Sequence, residues 1–306
     1  MPTLNTLAVE REIEQISQRP VGRDIGLIAR ASRGGLGRAA RAISAQLSYA
    51  SPTIVLVSGF YIPSAAAAET DGPLGVAHLV RGLSSVGFRV RVLTDSNCER
   101  CMVKALEAAG CTSATLDVVE TTLDIPKLED VYRDLGVSCI LSVERPGPGI
   151  DGETYDMKGI AIGSTALSLE PLFAPPKPWV TIAIGDGGNE IGMGNLPVHL
   201  IAESIDHGRK IACRVPCDHL IVSGVSNWGA VALLATVSVI RPDIKQPLLN
   251  SVNATDDQRI LAQLVHEGRA VDGVTKQHDL SVDGLPWPEY WRTLDRILAV
   301  VEGHHR

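Results

Sequence analysis

WVTIAIGDGGNEIGMG, Trp179 to Gly194, sets an apolar run directly against a loop with five glycines, two carboxylates and one amide. An apolar run without polar alternation reads as a strand buried on both faces, the kind found in parallel sheets. Glycine favours neither helix nor strand. Its concentration at the strand's end therefore marks a sharp turn, or a place where the backbone approaches something small and charged.

The same pattern recurs along the chain. Strand-like runs occupy Thr53–Phe60, Arg89–Thr94, Ser138–Glu144, Trp179–Ile184 and His219–Val225, with a shorter one at Thr115–Val119. Helical periodicity fills Pro73–Ser85, Glu99–Ala109, Lys127–Leu135, Asn195–His207 and Trp228–Val239 between them. Further helices are expected at Leu7–Ile16, Leu36–Leu47, Asp256–His266 and Trp287–Val301. Alternating buried strands and helices predict an α/β fold, three-layer α/β/α, with a mostly parallel sheet and helical extensions at both ends. The expected organisation is a single α/β domain over residues 1–306, with a helical N-terminal extension at 1–50 and a core at 51–306. Strand order is not written in this pattern.

Hydrophobic residues make up 45% of the chain and charged residues 21%, as in ordinary globular proteins. A formal charge of −7 offers no basic stripe for nucleic acid. The cluster Arg30, Arg33, Arg38 and Arg41 reads as a solvated face or an internal anion contact. No apolar run approaches the roughly 18 residues that span a bilayer. The polar start, MPTLNTLAVEREIEQ, lacks a signal peptide's character. A cytoplasmic protein without membrane or nucleic-acid partners is expected. Cys98/Cys101 and Cys213/Cys217 have spacings that a zinc site could use, but they occupy different βα units and read as reduced, partly buried thiols. Trp287, Tyr290 and Trp291 form an apolar face that suits either the core or a homo-oligomer interface.

In an open parallel sheet, ligands bind beyond the carboxyl ends of the strands. Four such ends carry polar groups here: Glu69, Thr70 and Asp71 before a Gly-Pro helix start; Glu144 and Arg145; Asp186, Asn189 and Glu190; Ser226 and Asn227. Helix capping accounts for Asp71, with Asp71 or Gly72 as the N-cap of the helix at Pro73, for Ser226, and for Asp186. It does not account for Glu69, Glu144 and Glu190, so a shared site is expected. The glycine motif lacks G-x-G-x-x-G spacing, and no P-loop or G-x-S-x-G elbow is present, so no nucleotide cofactor is expected. Carboxylates, amides and hydroxyls are hard donors that suit Mg²⁺, Mn²⁺ or Ca²⁺ rather than zinc. The glycines Gly187 and Gly188 would present backbone N–H groups to an anion. Together these predict an acidic pocket, able to hold a divalent metal, for a small anionic substrate.

Five stretches, ETDGPLG (Glu69–Gly75), ERPGPGIDG (Glu144–Gly152), GDGGNEIGMG (Gly185–Gly194), GVSNWG (Gly224–Gly229) and VDGLP (Val282–Pro286), occur in an order and at separations similar to those of the glutamate-cyclase-like domain family. The resemblance runs from about Val55 to the C-terminus. That domain forms the C-terminal part of animal relatives, behind a hydro-lyase-like domain, and stands alone in prokaryotes. The resemblance implies dehydration of D-glutamate, or a related acidic amino acid, to 5-oxo-D-proline and water, a carbon–oxygen lyase reaction. Two departures bear on selectivity: Glu153-Thr154 replaces a common Asn-Tyr pair, and Pro148 replaces a frequent basic residue.

For that chemistry Glu190 or Glu144 is expected as general base, and Glu69, Asp71 and Asp186 as metal ligands, with Asp186 also counted as catalytic. Thr70, Gly187, Gly188, Asn189, Ser226 and Asn227 would hold the substrate, and Arg145 would pair with its α-carboxylate. Asp272 and Asp283 read either as groups closing over the pocket or as Asp-Gly turns. Two alternatives use the same acids: a metal-dependent phosphohydrolase with phosphate on the glycine loop, and a non-catalytic binder of an acidic metabolite.

Overall fold

The computed structural model describes residues 4–303. Six strands form one parallel sheet: β1 (Thr53–Ser58), β2 (Arg89–Asp95), β3 (Thr115–Val119), β4 (Val137–Val143), β5 (Val180–Gly185) and β6 (His219–Val222). All six lie where the apolar runs predict them. Their order in space is β3-β2-β1-β4-β5-β6. The chain builds outward from β1 to β3, then returns to β1's other side, which opens a crevice between the ends of β1 and β4. Such switch points are where doubly wound sheets bind ligands.

Every residue of β1 is buried, and successive side chains serve different layers. Ile54 and Leu56 join one core, whereas Val55 and Val57 join the other. The first face carries α1 (Leu4–Ser17), α2 (Gly35–Gln46), α3 (Pro73–Ser85), α4 (Glu99–Ala108), α6 (Ser226–Ile240), α7 (Ala254–His266) and α8 (Trp287–Gly303). The second face holds α5 (Ile125–Asp134), the short helices Gly26–Ala31, Val198–Ser204 and Gly208–Ile211, and the irregular connection from β4 to β5. This is a three-layer α/β/α fold. The terminal helices do not stand apart from it: residues of α1, α2 and α8 share one continuous core with α6.

Helix α6 is apolar all round and buried from Ser226 to Val239, as a helix enclosed by other helices must be. Tyr290 of α8 stacks on its Trp228 with ring centroids 6.0 Å apart, while Trp287 and Trp291 are half-buried and stack on each other. Of the expected helices, only Asn195–His207 is interrupted. It is helical at Val198–Ser204, turns extended at Ile205 and passes through a left-handed His207 (φ 60°) before Gly208–Ile211.

The arginine cluster divides. Arg41 pairs with Glu10 at 2.8 Å, whereas Arg30, Arg33 and Arg38 are exposed. The cysteines are free thiols, buried except for half-buried Cys217. Cys98 and Cys101 lie in the first core, and Cys213 and Cys217 in or against the second, across the sheet. Burial pushes the Cys101 thiol up to about 12. Among the described residues no helix is long and apolar enough to cross a membrane.

Candidate active site

The loops after β1, β4, β5 and β6 meet at the switch point, and backbone hydrogen bonding fixes how they meet. Helices α3 and α6 start side by side with unsatisfied N–H groups. Asp71, just ahead of α3, accepts from the N–H groups of Ser226 (2.9 Å) and Asn227 (2.8 Å) at the start of α6. Asn227 replies: its Oδ1 accepts from Gly72 (2.8 Å) and Gly75 (2.7 Å) at the start of α3. Each helix start is thus tied to the other's leading segment; Gly72 is the N-cap of α3, one of the two positions the local reading expects, whereas α6 starts from Val225 with Ser226 as its first helical residue. Gly72 makes the approach feasible, since it holds φ 92° and a Cβ there would lie 2.6 Å from Ser58 Oγ.

The glycine loop turns inward on its own acid. Glu190 Oε1 accepts from the N–H groups of Asp186 (3.0 Å) and Gly187 (2.6 Å), and Oε2 from Gly188 (2.7 Å). Gly188, at φ 96°, supplies the left-handed turn that aims these donors at one carboxylate. The anion predicted on this loop is therefore Glu190 itself. Its oxygens are taken up by those three N–H groups, and Glu190 does not line the cavity described next.

That cavity, about 340 Å³, lies over the switch point. Glu69, Glu144, Asp186 and Asp283 reach it, together with Arg23, Lys158 and Lys276; Asp156 completes the charged lining. Phe60, Ile62, Met157, Ile160, Ile162 and Val274 supply apolar wall. Glu144 and Asp283 hold left-handed backbones (φ 48° and 53°), an uncommon conformation for side-chain-bearing residues that clusters at functional sites. Glu144 Oε2 accepts from Ser226 Oγ at 2.5 Å. Asp186 Oδ1 and Asp283 Oδ2 share Nη2 of Arg23, at 2.7 and 3.1 Å. Asp186 Oδ2 is buried with no hydrogen-bond partner.

Burial and mutual repulsion set the protonation of these acids. Burial raises Glu144 well above the usual carboxylate range, and Asp186, Glu190 and Asp71 raise it further. Glu69 rises through burial, then Asp283 and Asp71. Asp186 rises mainly through burial, although Arg23 pulls it back. Asp71 is pushed up to about 8, because burial and Asp283 outweigh its backbone hydrogen bonds. Burial alone would lower Arg23, but Asp186 and Asp283 hold it firmly charged.

The expected residues thus separate by position. Glu69, Glu144 and Asp186 line the cavity; Asp71 stands behind them as a cap whose oxygens lie within 4.8 Å of those of Asp186 and Asp283. Ser226 reaches the site through Glu144. Thr70 donates to Ser281 O at 2.9 Å and ties down the late loop. Asn189 donates to Tyr155 O, leaving its buried Oδ1 without a partner. Asp272 accepts from Val274, Thr275 and Gly284, so it is a turn organiser, while Asp283 is the acid that reaches the pocket.

Arg145 is not brought into the cavity. It is fully buried, pairs with Asp95 at 2.7 Å and donates to Gly59 O and Leu167 O, contacts that hold it away from the cavity, while its buried Nε has no partner. The cations that do reach the pocket, Arg23, Lys158 and Lys276, escape sequence reading. Arg23 sits in the Pro- and Gly-containing break between two N-terminal helices, and that break is its only signal. Lys276 lies in the late loop, beside an Asp-Gly turn.

The donor set fits a divalent cation. Asp71, Asp186 and Asp283 offer oxygens within 4.8 Å of one another, as do Glu144, Asp186 and Glu190. Asp186, whose Oδ2 has no hydrogen-bond partner, belongs to both groups.

An α/β domain with a carboxylate-lined cavity at its switch point is the class that fold and site define. The chain belongs to the family described as D-glutamate cyclase-like, C-terminal, whose model matches residues 13–298. It is 27% identical over 254 residues to a human protein named D-glutamate cyclase, mitochondrial; the match covers 72% of this chain and 40% of that protein.

Proposed function

We propose that this chain is a lyase that closes D-glutamate, or a related acidic amino acid, into 5-oxo-D-proline with release of water. One observation carries the reading: in a chain of this family, Glu69, Glu144, Asp186 and Asp283 meet Arg23 and Lys276 around one amino-acid-sized cavity. Zwitterionic substrates need both signs of charge within a few ångströms, and this cavity supplies them.

The α-ammonium must lose two protons, and one γ-carboxylate oxygen must leave with them as water. Glu144 is the group suited to move them. A carboxylate with a raised pKa accepts a proton from an ammonium more readily than an ordinary one, and its acid form can then protonate the departing oxygen. Ser226 fixes its orientation. Arg23 and Lys276 face the carboxylates of the substrate, and Glu69 faces its ammonium. Holding amine and carboxyl together in a closed cavity itself supplies a large part of the rate. A divalent ion, Mg²⁺ or Mn²⁺, at Asp71, Asp186 and Asp283 would polarise the γ-carboxylate and neutralise charge built up in the tetrahedral intermediate. The phosphohydrolase alternative loses support because Glu190 already occupies the N–H groups that a phosphate would use.

The test is to incubate the chain with D- and L-glutamate, with and without Mn²⁺, and read 5-oxoproline by chiral chromatography. Product from the D-isomer supports the reading. Saturable glutamate binding without product would make the pocket a binding site instead.

A further inference from the structure

The cavity has two features that free glutamate leaves unused. Its lining is rich in acids, with five carboxyl groups beside three cations, while free glutamate brings two carboxylates more. Its mouth is apolar. Ile160, 58% exposed, and Val274, 60% exposed, are among the exposed large apolar side chains of the described residues, and both line this cavity from different loops. Scattered apolar side chains on a surface need no explanation, but a pair framing the entrance to a charged pocket does. Behind them Phe60, Ile62 and Ile162 continue the apolar wall inward.

Resting on the cyclase reading, we propose that the pocket takes glutamate whose γ-carboxyl is already joined to an apolar amine, a γ-glutamyl amide, and releases that amine. The ring-forming amine and γ-carbonyl must stay among the acids, and Arg23 and Lys276 call for a free α-carboxylate. Only the γ-substituent can then extend to the mouth. Blocking the γ-carboxylate also makes the ligand a net-neutral zwitterion, which an acid-rich cavity accepts better than an anion. The chemistry balances without a co-reactant. The α-nitrogen bonds to the γ-carboxyl carbon, and the bond from that carbon to the amide nitrogen breaks. The two protons lost by the α-ammonium pass to the leaving nitrogen, which departs as an alkylammonium. Glu144 can carry them as it would for water.

The experiment compares γ-methyl, γ-butyl and γ-hexyl amides of D- and L-glutamate with free D-glutamate, reading 5-oxoproline and the released amine. The specificity constant should rise about fourfold for each methylene that the apolar wall covers. Ile160→Ser and Val274→Ser, both at exposed positions outside the core, should flatten the hexyl-to-methyl ratio toward one. Three outcomes separate the two readings. Turnover of free D-glutamate with amides ignored, or cleaved without regard to chain length, overturns this inference and leaves the cyclase reading standing. Amide turnover with the expected chain-length preference but no reaction of free glutamate upholds the inference and overturns water release. No 5-oxoproline from any of them overturns both.

Discussion

Glu144 and Glu190 have the same side chain, lie near the same switch point and do opposite work. Glu190 is saturated by three N–H donors, whereas Glu144 has one hydroxyl partner and an open face to the cavity. Glu144→Gln keeps shape and the Ser226 contact but cannot carry a proton. It should lower kcat by about 10²- to 10⁴-fold with an unchanged melting temperature; near-normal kcat would remove Glu144 from the chemistry. Arg23 is the residue on which the site's charge balance turns. Arg23→Gln leaves Asp186 and Asp283 without their shared cation and should cost roughly 3 kcal/mol at pH 8. The loss should shrink at pH 5, because burial raises the Asp186 carboxyl and favours its neutral form there; urea unfolding at both pH values measures the difference. Neither distinction can be read from residue type. A glutamate's role depends on which donors surround it, and here the chemical identity is the same while the surroundings differ.

At the scale of elements, the site depends on α3 and α6 starting from one shared knot. Asn227→Ala would strip the side-chain acceptor from the buried N–H of Gly75 and leave that of Gly72 only Asp71 Oδ1 at 3.0 Å, and should destabilise the fold by roughly 1–3 kcal/mol. A shift in urea midpoint without a change in slope would show it; a loss under 0.5 kcal/mol would mean that water replaces the cap at little cost. The glycine loop makes a parallel case. Glu190→Gln puts an amide NH₂ where a carboxylate oxygen now accepts a hydrogen bond, so amide exchange at Gly187 and Gly188 should accelerate at least about tenfold. Each element here is legible along the chain. The periodicity of α3 and the apolar run of β5 are local, so their extents match the sequence reading closely. The cap partners are not local, because Asp71 and Ser226 are 155 residues apart.

Over the whole molecule, the raised acids make stability depend on pH and on cations. A carboxyl whose folded pKa lies above its unfolded value binds its proton more tightly when folded. The stability this gives is complete below the unfolded pKa and is lost as pH rises through the folded one. Asp71, pushed up to about 8, places that loss between roughly pH 4 and 8, and Glu69, Glu144 and Asp186 are shifted in the same direction. The melting temperature should therefore fall as pH rises from 5 to 8.5. Millimolar Mn²⁺ or Mg²⁺ should restore it at pH 8 and have little effect at pH 5, where protons compete for the same oxygens. Scanning calorimetry at the two pH values tests both statements, and equal shifts at both would separate cation binding from these acids.

The sequence by itself determined the strands, nearly all the helices, the three-layer class and the loops that carry acids, because each rests on periodicity or spacing within a few turns of chain. It also marked the family through five short stretches whose order survives along the chain. Tertiary structure alone decided the strand order, and with it the β1/β4 crevice where those loops converge. It turned Arg145 inward to Asp95, brought Arg23 from the N-terminal segment to Asp186, and closed the glycine loop on Glu190. The physical reason is common to all three. A buried charge must find a counter-charge or donor, and which one it finds depends on what the fold sets across from it, not on what precedes or follows it in the chain.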